Sequence, residues 1–259
     1  QKVWCNRQEI SNFEIQWCFM AIAQFSKWKN RFKMRRVLVS GASGGLGREI
    51  AESLLGDGFY VVMLCNQNKS KLEPLLNRFS NQSKAIEVNF LEEVDFDSLK
   101  EDVGEIDSIV NCLGISSSQI SWKIEKSQWD QVLDLNLNVP FRLAQLFIPD
   151  MRKNKFGRIL FFSSIVAQKG VVGTAAYSAS KSALLGLTRT MASELASSGV
   201  TVNCISPGYM DKGMISEVSD ELISSILATV PAKSLGRSEN IVHTVSFLLD
   251  ERADYLTGQ

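Results

Sequence analysis

Apolar residues along this chain fall into two kinds of run, one short and continuous, the other longer and periodic, and the two kinds alternate. RRVLVS (35–40), YVVMLC (60–65), AIEVNF (85–90), SIVNCLG (108–114), RILFFSS (158–164) and VTVNCISPG (200–208) are rich in β-branched or aromatic residues and have the length of buried strands. Between them lie stretches with helical spacing: LGREIAESLLGDG (46–58), closed by glycines, KSKLEPLLNRFS (69–80), and the long runs 125–154 and 174–199. Such alternation predicts a doubly wound α/β fold, an open parallel sheet covered by helices on both faces. No repeat, low-complexity segment or Pro/Gly-rich linker interrupts the pattern after Met34, so residues 34–259 are expected to form a single domain.

Composition narrows the class. A chain of 259 residues can bury a sizeable core, and 45% hydrophobic with 22% charged residues are globular values. Lys+Arg 28 against Asp+Glu 28 leaves no net basic field, so nucleic acid is not an expected partner. The five cysteines (5, 18, 65, 112, 204) form no CxxC pair and the single histidine is His243, which argues against a disulfide framework and against any metal site. A reducing cytoplasm is the expected location.

Residues 1–33 differ from the rest. WCFMAIAQF is too short to span a bilayer, and Lys27, Lys29, Arg31 and Lys33 follow it, whereas a secretory signal carries its charges in front. The segment reads as a non-native or upstream extension outside the fold; a surface-lying membrane segment and the tail of an upstream domain are the alternatives.

SGASGGLG, Ser40 to Gly47, falls between the first strand and the first helix. A doubly wound sheet binds a dinucleotide at this place, because glycines let the backbone approach the pyrophosphate and the helix N-terminus supplies donors and a positive dipole. Gly41, Ser43, Gly45, Leu46 and Gly47 are therefore candidate cofactor residues. An acid at the end of the second strand would favour NAD(H), but that end reads LCNQNKSK, beginning at Leu64, with Asn66 as the candidate contact and no acid before Glu73. Lys69 and Lys71 nearby favour a 2′-phosphate, hence NADP(H), with NAD(H) possible.

Within AAYSASKSALLGL, Tyr177 and Lys181 stand four apart and project from one helical face. An ammonium beside a phenol is expected to lower the phenol pKa from about 10 toward neutrality, making its proton transferable to a carbonyl oxygen. Ser164, thirteen residues earlier, ends the strand RILFFSS at the edge where such sheets bind ligands, and its hydroxyl can donate to the same carbonyl.

S-x12-Y-x-x-x-K together with the G-x-x-x-G-x-G turn resembles the short-chain dehydrogenase/reductases over about residues 37–259, which implies a Rossmann-like fold. NCLG (111–114) is similar to the family's NNAG, LNLN to the motif that carries its asparagine, and SPG (206–208) to its nicotinamide-side PG. The resemblance implies Tyr177 as general acid/base, Ser164 as the carbonyl-orienting hydroxyl, Lys181 as the cation beside the tyrosine and the nicotinamide ribose, and Asn136 as the anchor of a proton-relay water. It further implies cofactor contacts from Asn89, Phe90, Asn111, Gly114, Tyr177, Lys181, Pro207, Gly208 and Met210.

Several positions depart from the family pattern. Cys112 and Leu113 replace the middle of NNAG, and Cys112 reads as a small buried hydrophobe. Gly44 stands where NADP-using members often have a basic residue, and Lys212 stands near the place of a carboxamide-contacting threonine. The sequence ends at LTGQ, where relatives continue, so the final strand is expected to be missing.

Along its length the chain is most like the 3-oxoacyl-acyl-carrier-protein reductases, which implies reduction of a 3-oxoacyl thioester, free or carried by an acyl-carrier protein. A sugar, polyketide or other small alcohol or ketone is the alternative substrate, and a non-catalytic nicotinamide-binding sensor the alternative class. Arg152, Lys153, Lys155 and Arg158 either meet an acidic carrier protein or form a solvated loop. Homotetramer or homodimer formation is implied through two long helices, about 128–154 and 175–198, unless the apolar stripe Leu184, Leu185, Leu187, Met191 and Leu195 all faces the sheet.

Overall fold

A computed structural model describes residues 34–213, 215 and 219–259; the expectation for residues 1–33 lies outside the described residues. Six strands, β1 (Arg36–Ser40), β2 (Tyr60–Cys65), β3 (Ser83–Glu87), β4 (Ser108–Asn111), β5 (Gly157–Phe162) and β6 (Val200–Ile205), form one parallel sheet in the order β3-β2-β1-β4-β5-β6. The helices are α1 (Gly45–Gly56), α2 (Glu73–Arg78), α3 (Phe96–Val103), α4 (Lys126–Leu133), α5 (Val139–Asn154), α6 (Ala175–Leu195), α7 (Asp220–Thr229) and α8 (Ser238–Leu249).

Side chains alternate across a strand, so an apolar run must bury both faces of the sheet. Val37, Val39, Val61, Met63, Val110 and Leu160 pack against Ile50, Leu54 and Leu55 of α1 and Val245 and Leu249 of α8. Leu38, Val62, Leu64, Ile109, Ile159 and Phe161 pack on the other face against Val103 of α3, Leu143 and Phe147 of α5, and Leu184 and Met191 of α6. The doubly wound α/β reading is the observed fold.

Several details differ from the sequence reading. The run 69–80 is a 3-10 turn, Lys69–Leu72, followed by a fresh start at α2, because Pro74 has no N–H and suits only a first helical turn. The run 125–154 keeps its direction but passes through a π-helical turn, Asp134–Asn138, in which the Val139 N–H reaches back to the Asp134 carbonyl. Leu184, Leu187, Met191 and Leu195 face the protein's own core.

Arg158 leaves the expected basic surface group altogether. It is 1% exposed, lies over the Phe156 ring at 4.4 Å, and donates to the carbonyls of Gly157 (2.9 Å), Gly199 (3.4 Å), Asp250 (3.5 Å) and Glu251 (3.4 Å). Its charge clamps the start of β5 to the segment after α8. The outer edge of β6 is paired as well: the Gly258 N–H donates to the Val202 carbonyl at 2.8 Å and the Cys204 N–H to the Gln259 carbonyl at 2.8 Å. Among the described residues no helix is long and apolar enough to cross a membrane.

Candidate active site

From β1 the chain winds outward through β2 and β3, then returns to β4 and winds the other way through β5 and β6. The crevice of such a sheet opens at the carboxyl ends of β1 and β4, where Ser40 and Asn111 are register partners. The Ser40 hydroxyl donates to Asn111 Oδ1 (3.2 Å) and accepts from the Leu113 N–H (3.4 Å), tying the two loops together.

The glycine turn departs from this edge. Gly41 has φ +67, a conformation costly for other residues, and a Cβ there would lie 3.0 Å from the Cys112 backbone. A Cβ at Gly47 would lie 2.4 Å from the Gly41 carbonyl oxygen, so the turn folds directly onto the first turn of α1. Gly45 and Leu46 open α1, and Ser43 is half-buried just ahead of them. Asn111 is 2% exposed, yet its Nδ2 has no hydrogen-bond partner, an unusual state for a buried donor. An orphaned donor beside a glycine turn at a helix N-terminus fits a dinucleotide.

Other expected cofactor contacts are placed less directly. Asn66 is exposed immediately after β2. Asn89 is engaged by its own loop, its Nδ2 donating to Glu92 Oε1 at 2.7 Å and its Oδ1 accepting from the Leu91 N–H at 3.2 Å. Phe90 stacks on Phe96 with ring centroids 6.2 Å apart. The Pro207 carbonyl accepts from the Ile165 N–H at 3.0 Å, Gly208 borders open space, and the Met210 thioether packs on Gly236.

Four side chains from three elements converge beside the crevice. Ser164 follows β5, Asn136 sits in the π turn, and Tyr177 and Lys181 lie one turn apart on α6. The Ser164 hydroxyl is the side-chain group that acts on the Tyr177 phenol, opposing the effect of burial on it. Lys181 is 4% exposed; its Nζ donates to the Phe162 carbonyl (2.7 Å) and lies 5.7 Å from the Tyr177 ring centroid. Asn136 accepts from the Ile115 N–H (2.8 Å) and donates to the Ile115 carbonyl (2.9 Å) and Ser180 Oγ (3.0 Å). Gly114 lies between them: a Cβ there would come within 3.1 Å of Asn136 Oδ1 and 3.2 Å of Lys181 Nζ.

Two serines that the motifs did not single out complete this frame. Ser180 donates to the Tyr177 carbonyl at 2.8 Å, and buried Ser163 donates to the Lys181 carbonyl at 2.7 Å. Their only signal in the sequence is adjacency to Lys181 and Ser164.

The electrostatics correct one expectation. Burial raises the Tyr177 phenol above its ordinary value, and the Ser164 hydroxyl offsets only part of that rise. Burial also brings Lys181 down to about 8, and its ammonium is directed at a backbone carbonyl. Desolvation therefore outweighs the pull that the four-residue spacing implies, and the site holds its phenol as an acid. Cys112 is pushed up to about 12, primarily by burial, so it is a neutral thiol at physiological pH.

Residues 35–222 match the family model for short chain dehydrogenase. The sequence is 35% identical over 232 residues to a 3-oxoacyl-acyl-carrier-protein reductase of Staphylococcus epidermidis, covering 87% of this chain and 95% of that protein. It is also 35% identical over 235 residues to an acetoacetyl-CoA reductase of Cupriavidus necator, covering 86% and 94%. Among solved structures, a 3-oxoacyl-acyl-carrier-protein reductase from Brucella melitensis shares the fold with TM-score 0.80 at 24% identity, covering 88% of each chain.

Proposed function

From the premise that the chain belongs to the short-chain dehydrogenase family, we propose that it is an NADP(H)-dependent reductase of 3-oxoacyl thioesters, yielding the secondary alcohol. The observation that carries this reading is the gathering of Ser164 and Tyr177 beside buried Lys181 and fixed Asn136 at the carboxyl edge of the sheet. The turn Gly41–Gly47 and Asn111 would hold the dinucleotide, whose nicotinamide supplies the hydride when bound. Ser164 orients the ketone oxygen by donating to it. Tyr177 gives its proton to that oxygen as negative charge develops, and Lys181 and Asn136 refill the phenol from solvent.

In this reading Pro207, Gly208 and Met210 border the nicotinamide side and Asn66, Asn89 and Phe90 the adenosine side; Asn89 would release Glu92 to reach an adenine. Both relatives at 35% identity carry names of thioester reductases, one carrier-protein-linked and one CoA-linked, which supports the substrate class. Homodimer or homotetramer formation belongs to the same proposal, and the 37% exposed Trp129 and Phe141 supply apolar surface for a helix-to-helix contact.

The test is loss of nicotinamide absorbance with acetoacetyl-CoA as substrate and NADPH or NADH as donor. Turnover with NADPH is the expected result. Tight NADPH binding without thioester turnover would transfer the assignment to a sugar or other small ketone.

No acid lies between β2 and Glu73, and Lys69 stands in the intervening turn, so NADPH should bind about tenfold or more tightly than NADH. Lys69→Ala should narrow that ratio in a fluorescence titration. Equal affinities in the unaltered protein would overturn the preference.

A pH profile gives a second check. A lysine lowered to about 8 is cationic below that pH and neutral above it, whereas the raised phenol stays protonated well beyond. The rate of ketone reduction should therefore be flat through neutrality and fall above a pH of about 8. A profile that keeps rising through pH 9 would show that the Lys181 charge plays no part.

A further inference from the structure

Residues 209–213, which follow β6, form a strap from α8 to α1. Its first end is fastened beside α8: the Gly236 N–H donates to the Tyr209 carbonyl (2.9 Å), the Asp211 N–H to the Gly236 carbonyl (2.9 Å), and Asp211 Oδ1 accepts from the Ser238 N–H (3.0 Å) at the start of α8. Its far end lies on the glycine turn. A Cβ at Gly45 would lie 2.8 Å from Gly213 N, 3.2 Å from Gly213 Cα and 3.4 Å from Lys212 Cβ, so strap backbone rests directly on that glycine. Lys212 Nζ forms an ion pair with Glu49 in the first turns of α1, the two side chains being 52% and 24% exposed.

The second glycine of such a turn is where the backbone approaches a pyrophosphate. In this protein that face of Gly45 is already covered by Gly213, and the cation beside it is already neutralised by a carboxylate. Resting on the dinucleotide reading above, we propose that Lys212 is a pyrophosphate-binding residue held off by Glu49. To seat the anion, Gly213 moves off Gly45, the Lys212–Glu49 pair breaks, and the ammonium exchanges a carboxylate for the diphosphate. The covered state lowers the fraction of binding-competent protein, and therefore the apparent affinity, by the strength of the pair.

This exchange makes predictions of opposite sign at two ends of one ion pair. Glu49→Gln removes the competitor and should tighten NADPH binding about two- to fivefold, the range of an exposed ion pair. Lys212→Gln removes the ligand for the anion and should weaken binding by a similar factor, and Lys212→Arg should restore it. The double variant should behave like Lys212→Gln, and all differences should shrink in 1 M KCl.

Dissociation constants for NADPH and NADH, titrated by nicotinamide fluorescence, decide the matter without any turnover assay. If both single variants are unchanged or shift in the same direction while the parent protein binds, the pair is a surface contact and the exchange is wrong. If the parent protein binds neither dinucleotide, the cofactor reading itself fails and takes the exchange with it.

Discussion

Tyr177→Phe is expected to lower ketone turnover by about 10²–10⁴-fold, the usual contribution of a positioned general acid, while leaving NADPH binding nearly intact. Burial keeps the phenol protonated, so phenylalanine removes the donated proton and little else. The ring stays in place because α6 is anchored independently: Ser163 and Ser180 bind its backbone, and Leu184 and Met191 pack in the core. Ser164 keeps its contact from the Val166 N–H at 3.4 Å. The decisive measurement pairs single-turnover NADPH oxidation with equilibrium binding of the same nucleotide. A variant that binds but does not oxidise NADPH supports the assignment. Undiminished turnover would place the acid elsewhere, and a parent protein that binds but never turns over would favour a sensor.

The raised phenol also gives the two directions of the reaction different pH requirements. Reduction needs the protonated form, which the buried site favours, whereas alcohol oxidation needs the phenolate, which burial opposes. Oxidation should accordingly require higher pH than reduction, with Lys181 progressively losing the charge that would help it above a pH of about 8.

What the sequence made legible depended on whether the signal was local. Five strand runs were readable because continuous apolar segments such as YVVMLC and RILFFSS are what a sheet buried on both faces requires, whereas AIEVNF (85–90) overlaps only the end of β3 (Ser83–Glu87), an edge strand that is half-buried and carries a weaker apolar signal. The glycine turn was readable because Gly41 with φ +67 and Gly47 packed against the Gly41 carbonyl exclude side chains outright. Tyr177 and Lys181 were readable as a pair on one helical face. The direction of the tyrosine shift was not, because it depends on depth and on where the ammonium points, and the Phe162 carbonyl that receives it comes from another strand. Arg158 escapes the sequence for the same reason: beside Arg152, Lys153 and Lys155 it reads as surface charge, yet the neighbouring Gly157 carbonyl and three carbonyls from two distant segments draw it inside. The Lys212–Glu49 pair spans 163 positions, a separation at which no periodicity operates.

Gly47→Ala tests the other half of the site, the part that would hold the phosphates. A single methyl there would sit 2.4 Å from the Gly41 carbonyl oxygen and 3.2 Å from Ala42 Cα, and both obstacles are backbone, so no rotamer change relieves the clash. The turn must open, at an expected cost on the order of 1–3 kcal/mol. That displacement falls on the peptide groups expected to face the pyrophosphate, so NADPH binding should weaken by about 5- to 150-fold. Gly56→Ala at the opposite end of α1 is the matched control: a Cβ there meets nothing within 4 Å, and alanine should be neutral or stabilise by about 0.4–1 kcal/mol. Thermal unfolding of the two variants, read beside their NADPH titrations, separates a distorted cradle from a weakened helix. If Gly47→Ala binds NADPH as tightly as Gly56→Ala does, the close packing of α1 on the turn serves the fold alone, and the dinucleotide must be sought elsewhere on the sheet edge.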